Sequence, residues 1–404
     1  MTDPDGYDAD VLILGGSFTG VELVRLLRKA RRGRKLEIIV VDRQRSHPYI
    51  PLGHELLTER MAAGVSGETE LETAGYVESR PPARWISGEI VGFEPETHTV
   101  TLGDGRSFSA RFVVVALGSE VRAPASLPGG AGLLAYKSTE QFEECKAALE
   151  RRLAGGGEPE TALVVGGGIS GVEIAGELAY LDRARPSGWR APKVVMVHGG
   201  ERLLPGLTAR AGIRAAAALR AQGVELHLET RVVEIADRHA TIRGPEGEQT
   251  IPFGLGFWGG GLVPPPVLSE LGLPMTDDGW LRVGPTLQCF SSSTEEPEIF
   301  AGGDVARVHG GTGRWPTMRR AIEGIFAAQT IAANILELAR CSPDYPGEGV
   351  PPLMPHTLWS DFPHGVSIGG RSLIVYGRVV FSVSWFNVWF RRFLMRRYMR
   401  RYGV

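Results

Sequence analysis

The chain has 404 residues, 43% of them apolar, with a formal net charge of −2 and three cysteines. That length suits two or three domains with sizeable cores, and the charge balance gives no overall attraction for nucleic acid. Cys145, Cys289 and Cys341 show no C-x-x-C spacing, which argues against a disulfide framework or structural zinc and suits a reducing compartment.

In chain order, the acidic, polar start MTDPDGYDAD is not a signal peptide, and no run of about 20 uninterrupted apolar residues predicts a membrane span. Residues 10–15 read as a buried strand and 19–31 as a helix ending in a basic cluster. The joint between them, Val11 to Leu23, reads VLILGGSFTGVEL. A glycine turn directly before a helix leaves free N–H groups for a phosphate. Ser17 stands where G-x-G-x-x-G has its middle glycine, a small residue expected to shift the backbone approach slightly. Residues 36–41 form the second strand, closed by Asp42, which lies 22 residues after Gly20. A carboxylate there accepts hydrogen bonds from an adenosine ribose, which calls for FAD rather than FMN. Ser46 to Met61, SHPYIPLGHELLTERM, is a proline-interrupted loop before a short helical run, placed to line a flavin or a substrate entrance. Residues 84–110 alternate as a small antiparallel sheet, and 112–119, FVVVALGS, form another buried strand.

A connector with a helix over 140–153 and the flexible stretch AGGGEP (154–159) leads to the strongest signal. Leu163 to Leu178, LVVGGGISGVEIAGEL, matches G-x-G-x-x-G without a gap through Gly166, Gly168 and Gly171. It repeats the first loop 151 residues later, down to Gly-Val-Glu at 20–22 and 171–173. Two such loops in one chain predict two nucleotide cofactors. The next strand, 193–197, ends in His198 rather than an acid. An acid would bind the 2′-hydroxyl of NADH and repel a 2′-phosphate; His198 does neither, so coenzyme choice is expected to be relaxed or shifted toward NADPH. Arg202 is near enough in sequence to pair with that phosphate. Strands follow over 223–228 and 231–235, and Phe257 to Gly261, FWGGG, ends the unit. Glu298 to Val305, EIFAGGDV, is a strand ending in glycines and an aspartate suited to a ribityl hydroxyl, and 321–338 form a helix facing it.

Together these motifs resemble the pyridine-nucleotide-disulfide oxidoreductase superfamily, flavoproteins with two dinucleotide-binding domains. Within it the chain looks most like type II NADH dehydrogenases, single-subunit NADH:quinone oxidoreductases. GGGISGVEIAGEL, HPYIPLGHEL, ERLLPGL and LGLPMTDDGWLRVGPTLQ carry that likeness over nearly the whole chain. The resemblance implies an α/β fold with two Rossmann-like domains: an FAD domain (1–125 and 283–340) interrupted by an NAD(P)H domain (126–282), then a membrane-associating region (341–404). It implies FAD contacts at Gly15, Gly16, Ser17, Phe18, Thr19, Gly20, Asp42, Arg43, Ile90, Ala116, Gly118, Gly303, Asp304 and Val305. It implies NAD(P)H contacts at Gly166, Gly168, Ile169, Ser170, Gly171, Glu173, His198 and Gly260. Glu173 would sit near the nicotinamide, and Glu173 and His54 are candidate proton donors to a reduced quinone. Hydride chemistry on such cofactors needs neither a catalytic triad nor a metal. The implied location is the inner face of the cell membrane, and the implied partner a quinone or another small acceptor. The family's glutamine-containing segment appears here as TMRRAIEG, with Arg319, Arg320 and Glu323, which leaves the acceptor open. Alternatives are a reductase of another acceptor or a non-catalytic flavin sensor. A sulfide:quinone reductase is disfavoured, because Cys145 and Cys341 lie outside the cofactor motifs.

The tail carries the last signal. No acidic residue follows Asp361, and the final 43 residues hold eight arginines. On a helical wheel Leu394, Met395, Tyr398, Met399 and Tyr402 share one side, and Arg392, Arg396, Arg397, Arg400 and Arg401 the other, with Arg391 and Phe393 out of place. This predicts an interfacial helix on an anionic membrane surface, with the first face among acyl chains and the tryptophans at the boundary. Docking on the protein's own core or in a homodimer is the alternative.

Overall fold

The computed structural model describes residues 6–57, 70–153, 160–184, 190–290, 295–309, 319–340, 352–357, 364–383 and 385–403. The expectations for residues 1–5, 58–61 and 154–159, for Cys341, and for the Thr317-Met318 start of TMRRAIEG lie outside these residues. The chain divides into two compact units. One comprises Met1–His47, Glu72–Ser119 and Pro264–Ser360; the other comprises Pro48–Leu71, Glu120–Val263 and Asp361–Val404.

The first unit is built on a parallel sheet. Strand Ala9–Leu14 lies between Ile38–Asp42 and Ser107–Val115, with Leu12 opposite Ile39 on one side and Val113 on the other. The first two of these strands and residues 112–115 of the third are almost wholly buried apolar runs, as a sheet covered on both faces requires. Helices Phe18–Lys29 and Ala321–Leu338 pack against each other. The second of these is long and apolar enough to cross a membrane by composition, but 56% of it is buried, as befits a core helix.

Three boundaries differ from expectation. Ala83–Ser87 is not part of an antiparallel sheet; it pairs in parallel with Ile38–Asp42, Trp85 opposite Val40, because buried Ala83 and Trp85 complete the sheet's edge. Ser107–Val115 is one long strand. Its first half pairs antiparallel with Thr99–Leu102 and its second half joins the parallel sheet, so the two strands expected there are continuous. Leu281–Val283 pairs with Ala306–Val308, and that ladder draws the chain from Pro264 onward into the first unit, although 264–282 were expected in the NAD(P)H domain.

The second unit repeats the plan with a parallel sheet in the order Glu225–His227, Lys193–Val197, Thr161–Val165, Leu255–Trp258. Strands Arg231–Ala236, His239–Gly244 and Gly247–Pro252 form an antiparallel meander. The segment's two ends, Glu120–Val121 and Leu262–Val263, pair with each other, so it closes on itself. The region after residue 340 is not a separate body. A sheet of His364–Ile368, Arg371–Tyr376 and Val379–Val383 packs on helix Ile169–Ala184, and Val366, Ile368, Leu373 and Val375 join that helix's core. Gly176 is the point of closest approach: a Cβ there would lie 2.8 Å from the Ile368 Cα.

Helix Trp385–Arg400 continues this packing. Met395, Tyr398, Met399 and Tyr402 are buried in the second unit, with the Tyr398 ring 5.4 Å from that of Tyr49. The stripe expected among acyl chains is therefore the docked stripe, since its i, i+3, i+4, i+7 spacing meets a core the chain already supplies. Of that face Leu394 is exposed, and it continues into exposed Trp389, Phe390 and Phe393.

Candidate functional site

Each unit carries one glycine loop, and the two are built alike. Strand Ala9–Leu14 runs into Gly15, whose φ of 107° favours glycine, and where a Cβ would strike the Ala116 carbonyl oxygen. Gly15 N–H donates to the Val41 carbonyl at 2.8 Å, and Ala116 N–H to that of Leu14 at 2.7 Å, tying three strand ends together. Ser17 is the N-cap of the following helix but makes no side-chain cap bond, so the helix's first N–H groups are left for a ligand.

Asp42 closes the loop from the second strand. Its Oδ2 accepts from Gly16 N–H at 2.7 Å and its Oδ1 from Gln44 N–H at 2.9 Å. Burial raises this carboxyl above its ordinary value; the N–H groups of Gln44 and Gly16 and the nearby Arg43 charge pull the other way. A carboxylate has about four acceptor positions, so capacity remains for ribose hydroxyls. The Asp42 carbonyl accepts from Gly88 N–H, which brings the turn before buried Ile90 to the loop. Arg43 itself is exposed.

Thr19 gathers the remaining motifs of the first unit. A Cβ on Gly303 would lie 2.6 Å from its hydroxyl, and one on Gly324, in the first turn of helix Ala321–Leu338, 2.7 Å from it. Ser119 Oγ donates to Asp304 Oδ2 at 2.6 Å. Val305 is buried in the short helical turn Gly303–Val305, and Gly118, at a φ of 72°, faces open space. Phe18 packs on His47, ring centres 4.9 Å apart. Arg319 has an unusual setting: a φ of 50°, a guanidinium 3.5 Å above the Trp280 ring, and Nε donating to the Asp304 carbonyl at 3.3 Å. Burial, with Arg307 nearby, lowers its pKa to about 10.

In the second unit Gly166 has a φ of 108° and donates to the Val197 carbonyl at 2.8 Å; a Cβ on it would sit 2.5 Å from Gly259. A Cβ on Gly171 would strike the Gly166 carbonyl oxygen, which is the close strand–helix packing the third glycine allows. A Cβ on Gly168 would make only an ordinary contact, 3.7 Å from the Gly259 carbonyl oxygen, and Ile169 begins the helix; Gly260 folds against Trp258. Where Gly16 donates to Asp42, Gly167 N–H donates to His198 Nδ1 at 3.1 Å. Arg202 does not reach out toward a phosphate. Its guanidinium instead donates to the carbonyls of Leu204, Pro205 and Leu207, bracing that turn. Both loops fit a bound dinucleotide: each presents a helix N-terminus, glycine where a side chain would collide, and a polar side chain closing the second strand.

Behind the second loop lies a buried cluster. Glu173, in the second turn of its helix, accepts from Ser367 N–H at 3.1 Å through Oε1, which lies 3.6 Å from Arg391 Nη2. His54 Nδ1 is 3.5 Å from Glu173 Oε2, and His54 Nε2 is 3.1 Å from Arg391 Nη2. Glu55, fully buried, accepts from Arg392 Nη2 at 3.1 Å. Tyr136 hydroxyl donates to the Ser170 carbonyl at 2.7 Å. Burial pushes the Glu173 carboxyl up to about 7, against the opposing pull of Arg391 and the Ser367 N–H.

Glu173 and His54, 119 positions apart in the chain, are thus brought together. Sequence reasoning missed Glu55, Tyr136, Ser119, Ser367 and Trp280 as members of these sites. It set Arg391 aside as out of place on an amphipathic helix, and that irregularity was the signal: the residue breaks the pattern because it turns inward to a carboxylate.

A family model described as pyridine nucleotide-disulphide oxidoreductase matches residues 9–329. The chain is 29% identical over 309 residues to the demethylphylloquinone reductase NdbB of Synechocystis sp., covering 75% of this chain and 73% of that one. It is 26% identical over 371 residues to the type II NADH:quinone oxidoreductase Ndh of Mycobacterium tuberculosis, covering 82% and 73% respectively. Among solved structures, NDH2 from Plasmodium falciparum in complex with NADH superposes with a TM-score of 0.78 at 12% identity, covering 97% of this chain and 96% of that one. With a match over most of its length and both glycine loops in place, the chain belongs to the pyridine nucleotide-disulphide oxidoreductase family.

Proposed function

We propose that this protein is an FAD-dependent NAD(P)H:quinone oxidoreductase. The observation that carries the reading is the pair of glycine loops, one per unit, each tied to its second strand by a loop N–H: Gly16 to Asp42 and Gly167 to His198. The names of the relatives in Synechocystis and Mycobacterium support a quinone as acceptor. When bound, FAD and NAD(P)H supply hydride transfer from nicotinamide to flavin. The chain's own residues bind, orient and exclude water. Gly15, Gly16, Ser17, Phe18, Thr19 and Gly20 hold the FAD pyrophosphate, Asp42 the adenosine ribose, and Asp304, braced by Ser119, the ribityl chain. Gly166, Gly168, Ile169, Ser170 and Gly171 hold the second pyrophosphate.

Glu173 serves as the proton store. With a pKa of about 7 it is half protonated at neutral pH, and His54 Nδ1 lies 3.5 Å from its Oε2. Sulfide chemistry is disfavoured on physical grounds: Cys145 is buried, donates to the Ala135 carbonyl, and has its thiol pushed up to about 12 by burial.

The helix at the C-terminus is proposed to touch an anionic membrane surface through a different patch from the one its wheel suggests. Trp389, Phe390, Phe393 and Leu394 are exposed beside exposed Arg396, Arg397 and Arg400. A second copy of the chain is the other occupant that patch would suit.

The decisive experiment is an anaerobic titration. NADH or NADPH should bleach the flavin spectrum, and a soluble short-chain quinone should restore it. Flavin that stays oxidised with both coenzymes would refute the reading.

A further inference from the structure

We propose that the second glycine loop selects the 2′-phosphorylated coenzyme, NADPH, through the guanidinium of Arg231 and the replacement of an acceptor carboxylate by His198. The inference rests on the second unit being a dinucleotide site. Two polar closures of one architecture differ in a way that reverses the preferred ligand group. Asp42 meets Gly16 N–H as an acceptor and keeps further acceptor capacity. His198 meets Gly167 N–H with Nδ1 at 3.1 Å, which requires that nitrogen to be unprotonated. The neutral ring then carries its proton on Nε2, so His198 brings neither a negative charge nor a spare acceptor to a ligand. Burial lowers the ring's pKa, although the Arg202 backbone opposes this, and favours that neutral form.

The ring cannot turn away. A Cβ on Gly167 would lie 2.7 Å from His198 Cγ, and one on Gly200 would lie 2.9 Å from Nε2, so the imidazole fills a slot between two glycines. Nε2 is buried and makes no hydrogen bond among the described residues. The charge comes from the neighbouring strand. Thr230 N–H donates to the His198 carbonyl and Glu229 N–H to that of Gly200, which lays the start of the meander along residues 198–200. The Arg231 side chain lies across Gly199, where a Cβ would meet its Cγ at 3.2 Å and its Nε at 3.4 Å. Arg231 is exposed and has no hydrogen bond or ion pair among the described residues; nearby Glu201 and Glu229 are exposed and do not pair with it. A free guanidinium and the loss of the carboxylate together suit a phosphate, which offers only acceptor oxygens and negative charge.

The test compares 2′,5′-ADP with 5′-AMP, by calorimetry, on the flavin-loaded protein. The wild type should bind 2′,5′-ADP at least about tenfold more tightly. Arg231→Ala should bring the two affinities close together while leaving 5′-AMP unchanged. His198→Asp, which restores the acceptor found at residue 42, should reverse the preference. Equal binding by the wild type, or an unchanged ratio in Arg231→Ala, would overturn the selectivity and leave the dinucleotide reading intact. Failure of both adenylates and both coenzymes to bind would overturn the two together.

Discussion

Glu173 should titrate near neutrality, and Arg391 should set where. The carboxyl is buried beside Glu55 and Glu177, which raise its pKa along with burial, and beside Arg391, which lowers it; the balance is about 7 against an ordinary 4.5. The folded chain therefore holds this proton more tightly than the unfolded chain. The stabilisation that follows is full below pH 4.5 and is lost as pH rises through 7, a swing of about 3 kcal/mol. Glu173→Gln keeps the neutral form throughout and should lack that loss. At 3.6 Å the Arg391 interaction amounts to roughly 5 kcal/mol at an effective dielectric of about 20, an upper value because water and His54 share the field. Arg391→Met should accordingly lift the Glu173 titration by at least about one unit, to roughly pH 8 or above. Infrared difference spectra resolve the carbonyl stretch of a protonated carboxyl, and Glu173→Gln assigns the band. A band that disappears by about pH 5, or one that Arg391→Met does not move, would show that the burial argument is wrong.

Three further outcomes follow from the same geometry. Asp42→Ala should lower flavin retention, and heat-denatured wild type should release FAD; release of FMN would remove the reason for a ribose-binding carboxylate at that strand end. Gly166→Ala places a side chain at a φ of 108° and against Gly259, at a cost of roughly 1–3 kcal/mol before any clash relaxes, and should abolish NAD(P)H binding while flavin content stays normal; normal coenzyme affinity in this variant would contradict the loop's role. Replacing Trp389, Phe393 and Leu394 with serine should release the protein from anionic liposomes in a flotation assay and spare reduction of a soluble quinone, whereas deleting residues 385–404 should destabilise the second unit because Met395, Tyr398 and Met399 leave its core. Wild-type protein that never floats with anionic vesicles would discard the membrane contact in favour of an oligomer.

What the amino-acid order determined by itself was whatever is encoded within a few consecutive residues. Both glycine loops, the strands before them and the 321–338 helix were legible because a parallel strand is a short apolar run and the turn after it demands glycine. Asp42 was legible from spacing, since the strand–helix–strand unit has a fixed length. Only the tertiary structure decided which long-range ladders form. Ala83–Ser87 alternates as an edge of either kind of sheet does, and pairing with Ile38–Asp42 made it parallel. The 364–383 sheet needed Gly176 to seat it. The tail was the hardest part to read, because an amphipathic stripe specifies an apolar surface without saying whether lipid or protein supplies it. Here the second unit's own core supplied it, and in doing so carried Arg391 inward to Glu173, a contact across 218 positions that no local pattern encodes.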